Sequence, residues 1–190
     1  MTGLTELQMR KTNFNDLCWE AIQRNDRHLV SLRTLVFTNC PFVGGKILQA
    51  MMASLPNLEQ LDAGIFNAQD ILDDGRPWMC LRLRKLRVTI VLDSPESQPM
   101  VLEQLSRLVQ WEECRLHGAE GWRPALRLTL ERGMDQLRTL KQMRHFQVGP
   151  LQRKTEWGKE EVQWTRDHWP RLKNLLGVQL RSGDIDHPLT

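Results

Sequence analysis

The stretch Leu32-Arg33-Thr34-Leu35-Val36-Phe37-Thr38-Asn39-Cys40-Pro41 sets how the rest of the chain is read. Apolar residues alternate through a short strand, and a Cys or Asn, expected to be buried, then closes the turn. A helical pattern follows, with Ile47, Leu48, Met51, Met52 and Leu55 at helical spacing and Pro56 as its stop. At Leu58-Glu59-Gln60-Leu61 the strand signal begins again.

Working outward, the first apolar residue of each such strand is Leu4, Leu32, Leu58, Leu83, Trp111, Met143 and Leu172. Subtraction gives spacings of 28, 26, 25, 28, 32 and 29 residues. Most fall in the range of roughly 20 to 29 that marks leucine-rich repeats, and the 32 accounts for an insertion. The expected fold is α/β, a leucine-rich-repeat solenoid or horseshoe with a parallel inner sheet, outer helices and about six to seven repeats. A single strand and helix cannot bury their apolar faces, whereas stacked units cover one another. The expected organisation is a single domain over 1–181 and a frayed tail over 182–190. The chain opens inside a repeat, which predicts either a longer protein or an exposed first unit.

Between the strands the pattern predicts a helix over Asn13–Arg27, capped by Asn15 or Asn13 and buried through Leu17, Cys18, Ala21 and Ile22. Asp73-Asp74-Gly75 reads as a solvated turn with Gly at the bend. Asp93–Pro99 resembles a linker, and Val101, Leu102, Leu105, Leu108 and Val109 mark the helix after it. After the strand Trp111–Leu116 come a loop at 118–123, a short extra strand at Ala125–Leu130 and a helix or turn at Met134–Leu140. The sixth strand is Met143–Val148. Gly149–Gly158 reads as loop, and Lys159–Trp169 as a helix anchored by Val162 and Trp169 and ended by Pro170. Trp157, Trp164 and Trp169 are expected to close the C-terminal end.

Composition narrows the function classes. The chain has 190 residues, 41% of them hydrophobic and 26% charged, with net charge +3. That excess is too small to imply nucleic acid, and a basic patch at Lys85, Arg87 and Arg115 is offset by Asp62 one unit away. Cys18, Cys40, Cys80 and Cys114 form no CxxC pair, and the N-terminus lacks a signal-peptide pattern, so all four are expected reduced and buried. No apolar run approaches the roughly 20 residues of a membrane helix. A cytoplasmic or nuclear location is the expectation.

Catalytic and cofactor motifs are weak. Gly44-Gly45-Lys46 fails as a phosphate loop, because Ile47 follows the lysine and Cys40 stands where the first glycine belongs. The residues around Asp73 lack the alternating acidic positions of a calcium loop. The five histidines include no HExxH pattern. His117 and His145 are expected on the inner face of adjacent strands as solvent-facing polar residues. Glu112-Glu113 and Glu160-Glu161 read as exposed charge pairs. No enzyme activity, cofactor or metal site is expected.

Repeat geometry puts the residues between the apolar strand positions on the concave face. These are Glu6 and Gln8, Thr34 and Val36, Gln60 and Asp62, Lys85 and Arg87, Glu113 and Arg115, and His145 and Gln147. Acidic and basic spots alternate between neighbouring strands, which suits a protein partner of matching charge. The candidate partner-binding set is Gln60, Asp62, Lys85, Arg87, Glu113, Arg115, His117, His145 and Gln147. Arg87 and Arg115 are the expected energetic anchors.

The run from Leu32 to Asp62, with Asn39-Cys40-Pro41 and Leu55-Pro56-Asn57-Leu58-Glu59-Gln60-Leu61, resembles the cysteine-containing repeats of F-box leucine-rich-repeat proteins in the ribonuclease-inhibitor-like superfamily. Pro77–Leu83, Met134–Lys141, Glu160–Trp164 and His168–Lys173 resemble a fungal branch of that family. The resemblance implies a non-enzymatic substrate receptor, in which an N-terminal F-box docks on the adaptor of an SCF-type ubiquitin ligase and the repeats hold the target. Nothing before Leu4 can hold an F-box, so contact with the adaptor is expected only if such a module lies upstream. A ligase-independent repeat scaffold is the alternative, and a weak nucleic-acid binder the third.

Overall fold

A computed structural model describes residues 3–24, 26–117, 126–148 and 155–180, with backbone alone at 26–28, 117 and 155. In chain order the elements are β1 (Glu6–Arg10), α1 (Asp16–Gln23), α2 (Asp26–Ser31), β2 (Thr34–Thr38), α3 (Gly45–Ser54), β3 (Gln60–Asn67), α4 (Ala68–Asp74), β4 (Lys85–Val91), α5 (Gln98–Ser106), β5 (Glu113–His117), β6 (His145–Val148), β7 (Thr155–Trp157), α6 (Lys159–His168), β8 (Asn174–Leu176) and β9 (Val178–Leu180). The fold is α/β. Seven strands form one parallel sheet in the order β1-β2-β3-β4-β5-β6-β8, and β7 and β9 make a separate parallel pair.

The backbone repeats with the sequence period. Thr5, Arg33, Glu59, Arg84, Glu112 and Arg144 each offer one carbonyl to two consecutive N–H groups of the next unit, at 2.8–3.2 Å. Each of the last five strands of the main sheet is also preceded by the same turn. Leu58, Leu83, Trp111, Met143 and Leu172 donate to Leu55, Cys80, Leu108, Leu140 and Trp169. All of these residues but Leu172 are buried, so an apolar pair three residues apart staples the chain to the core before each of these five strands. The strands β1 and β2 end alike too, with Lys11 at φ 53° and Asn39 at φ 54°. Asn tolerates this left-handed conformation well, and Lys uncommonly adopts it.

One face of the sheet is the core. Leu35, Phe37, Leu61, Phe66, Leu86, Val88, Ile90, Cys114, Leu116, Phe146 and Val148 are buried there beneath the helices. The helix α3 buries Ile47, Leu48, Met51 and Met52, as its spacing predicts, and packs on α4, which meets α5. Gly45 permits the α3–α4 approach, since a Cβ there would meet Asp70 Oδ2 at 2.1 Å and the Asn67 nitrogen at 2.9 Å. Buried glutamines tie the layers together. Gln49 donates to the Arg76 carbonyl, and Gln98 donates to the Arg127 and Arg132 carbonyls while accepting from the Arg127 N–H.

Several expectations change. The helix expected over Asn13–Arg27 is α1 followed by a separate α2, with Asn15 capping α1 through the Cys18 N–H. Leu17 and Cys18 are exposed, and Phe14 and Trp19 fill the core instead. Cys40 is half-buried, so the expectation of four buried cysteines holds for Cys80 and Cys114. All four are free thiols. Asp93–Pro99 is no linker: a 3-10 turn at Pro95–Ser97 runs straight into α5, and Ser97 and Gln98 are buried. Residues 126–128 are not a strand; a 3-10 turn spans Leu130–Arg132 and another Met134–Thr139. The expected loop at 149–158 contains β7. Glu161 is buried, not exposed, and together with Thr165 forms the inward face of α6. The expected tail at 182–190, the loop at 118–123 and Ala125 lie outside the described residues.

Candidate partner-binding face

The other face of the sheet carries the polar residues, and the strand register fixes their places. One row runs Glu6, Thr34, Gln60, Lys85, Glu113, His145, Asn174, each directly opposite the next. A second row, two residues further along, runs Gln8, Val36, Asp62, Arg87, Arg115, Gln147, Leu176. The alternation of each strand therefore places Gln60, Asp62, Lys85, Arg87, Glu113, Arg115, His145 and Gln147 side by side on one surface. His117 ends β5 opposite Thr89, and its side chain is outside what is described. His145 stands opposite Glu113, four residues before His117. The two histidines are thus at different heights and form no pair.

Register also decides the charges. Opposite partners Asp62 and Arg87 form an ion pair at 2.9 Å, and Lys85 and Glu113 one at 3.5 Å. Arg115 stands opposite Arg87, is exposed, and makes no ion pair or hydrogen bond among the described residues. His145 Nδ1 and Asn174 Nδ2 are 2.8 Å apart. A shallow depression of about 280 Å³ is lined by Glu113, Arg115, His145, Gln147, Asn174 and Leu176, with Cys114 and Phe146 at its floor. A smaller one of about 40 Å³ adjoins it between Asp62, Arg87 and Arg115.

The sequence reading missed Asn174 and Leu176, because β8 looked too degenerate to extend the rows. It also missed a charged row just before the strands. Arg33 pairs with Glu59 at 2.5 Å, and Glu112 accepts from Arg84 Nε and Nη2 at 2.9 and 2.6 Å and faces Arg144 at 3.9 Å. The hydrogen bonds that Arg84 donates to Glu112 hold its guanidinium above its usual pKa. The signal was present: the residue after each first apolar position alternates Arg, Glu, Arg, Glu, Arg from Arg33 to Arg144. Glu112 and Glu113, read as an exposed charge pair, are both half-buried and each paired to a cation.

Among the described residues, no cluster of three or more His, Cys, Asp or Glu side chains is placed to hold a metal ion. Burial pushes the Cys80 thiol up to about 12 and the Cys114 thiol well above its ordinary value, so both stay protonated at neutral pH. No helix among the described residues is long and apolar enough to cross a membrane. The chain matches no protein-family model, no curated protein and no solved structure.

Proposed function

We propose that the chain is a leucine-rich-repeat solenoid that binds another protein on the open face of its sheet. In this reading the open face is the concave side of the horseshoe, and the role is that of the substrate-recognition part of an F-box-type ubiquitin ligase receptor or a truncated relative. The observation that carries it is the register: seven parallel strands in sequence order bring two rows of mostly polar side chains onto one surface. The repeated carbonyl fork and the repeated turn support the solenoid assignment, because both recur once per unit. A surface of mixed charge, with an arginine that has no ion-pair partner among the described residues, favours a protein partner over a small ligand, whose pockets are deeper and more apolar.

Site-specific photocrosslinking tests this. A photoreactive residue replacing Gln147 on the open face is compared with one replacing exposed Gln69 on α4, in a fungal lysate. A discrete protein adduct from position 147, absent from position 69, is the expected result. Recovery of the ligase adaptor and cullin in the same sample assigns the receptor role, and their absence assigns a ligase-independent scaffold. Equal crosslinking from both positions overturns the open-face reading.

A further inference from the structure

We infer that Arg115 and the depression beside it form an anchor for a carboxylate side chain, Asp or Glu, in an extended segment of the partner protein. The inference rests on the open face being the protein-binding surface and names the chemistry of what it takes. Across β3 to β5 that face holds Lys85, Arg87 and Arg115 against Asp62 and Glu113, three cations to two carboxylates, a surplus of one positive charge. Asp62 occupies Arg87 and Glu113 occupies Lys85, so the surplus resides on Arg115. Like charges directly opposite on neighbouring strands repel, and Arg115 faces Arg87 in that way. An incoming carboxylate relieves this repulsion, and a guanidinium binds it with two parallel hydrogen bonds.

The surroundings fit one acidic side chain and its neighbour. Gln147 offers an amide beside Arg115, and Leu176, 55% exposed, supplies an apolar wall at the far end of the same row. The volume of about 280 Å³ lies below the roughly 300–1,000 Å³ of pockets that enclose whole small molecules. A surplus of a single charge suits one carboxylate. A nucleic-acid backbone would call for a track of several unpaired cations.

The test uses the full chain and fluorescein-labelled peptides selected on it from a phage-displayed random library. Selected peptides are expected to carry Asp or Glu beside an apolar residue. Their binding is expected to fall about tenfold or more on Arg115→Glu and on the milder Arg115→Gln, the scale of one charge-assisted hydrogen-bonded pair. Replacing the peptide carboxylate by Lys should restore binding to the Arg115→Glu chain. Circular dichroism confirms that both variants fold, as expected for an exposed side chain. Selected peptides without a carboxylate, or indifferent to both Arg115 variants, overturn the inference. The variant Gln147→Trp, which fills the depression, separates the two layers. Loss of binding on Gln147→Trp alone removes the acidic anchor and keeps the open-face reading, whereas indifference to all three variants removes both. Displacement of the peptides by polyuridylate, with a steep salt dependence, overturns the inference in favour of nucleic acid.

Discussion

Gln49 on α3 accepts a hydrogen bond from the Trp78 indole, Nε1 to Oε1 2.7 Å, while its amide nitrogen donates to the Arg76 carbonyl at 2.9 Å. Both side chains are fully buried. One glutamine thus satisfies two polar groups of the next unit, the Trp78 indole inside the core and the Arg76 carbonyl nearer its edge. Replacing it with Leu keeps the bulk and removes both bonds. Gln49→Leu is expected to lose about 1–3 kcal/mol of stability, read by urea unfolding, the cost of one unsatisfied buried group, the Trp78 indole N–H, since Arg76 is exposed and its carbonyl can turn to water. A loss below about 1 kcal/mol would mean that the indole finds another acceptor.

The neighbours Glu160 and Glu161 differ by burial alone. Glu161 is 4% exposed and accepts from the Leu130 N–H at 3.3 Å and the Gly158 N–H at 2.8 Å, so it both caps α6 and holds the preceding unit. Glu161→Gln puts an amide donor against a backbone donor and should cost about 1–3 kcal/mol. Glu160→Gln, on an exposed position, should leave the unfolding midpoint unchanged. Equal effects would refute the assignment.

Two glycines should rank in a definite order. A Cβ at Gly45 would press chiefly on the far end of the Asp70 side chain, which can move, though the Asn67 nitrogen is also close. Gly45→Ala is expected to cost about 1–3 kcal/mol. At Gly177, φ is +81° and a Cβ would lie 1.7 Å from the Val148 carbonyl oxygen, which is backbone. Gly177→Ala should therefore cost more and should selectively expose the β8–β9 bend to hydrogen exchange.

The buried thiols give a pH signature. Cys80 ionises at an ordinary 9.0 when unfolded and at about 12 when folded. Between those values the unfolded chain has released its proton and the folded chain has not, so stability falls as pH rises through the window. The expected slope is about 1.4 kcal/mol per pH unit for each thiol, with Cys114 acting in the same direction. Denaturant titrations at pH 8 and pH 10 would show it. At pH 8 a thiol reagent should label exposed Cys18 at once and reach Cys80 and Cys114 only on unfolding.

The charged row ahead of the strands should contribute little. Glu112 bridges Arg84 and Arg144 with its side chain 20% exposed and both arginines largely in solvent. Glu112→Gln is expected to lose about 1 kcal/mol or less, and the loss should shrink at high salt. A larger, salt-independent loss would show the row to be structural.

The strands were legible because alternation and a period of 25 to 32 residues state the same thing twice. Leu86, Val88 and Ile90 face inward as read, and the register follows once consecutive units lie side by side. The helical side was less legible. Leu17 is 71% exposed and Glu161 is buried, each against its hydropathy, because a short helix is placed by its neighbours and not by its own moment. The strand β7 was hidden within an expected loop, since three residues carry no period. On the open face, residue identity was readable and pairing was not. Arg87 and Arg115 looked equivalent in the sequence, and the position of Asp62 opposite Arg87 separates them.

Among the described residues, the side-chain hydrogen bonds between positions more than four residues apart join positions 25 to 34 apart, from Arg87–Asp62 at the short end to Gln98–Arg132 at the long one. Each of them spans one period. Among the described residues, force applied to the two ends meets no distant fastening. Each strand can detach from its outer neighbour while the rest of the stack holds, so stretching should proceed as a staircase of similar steps and not as one rupture.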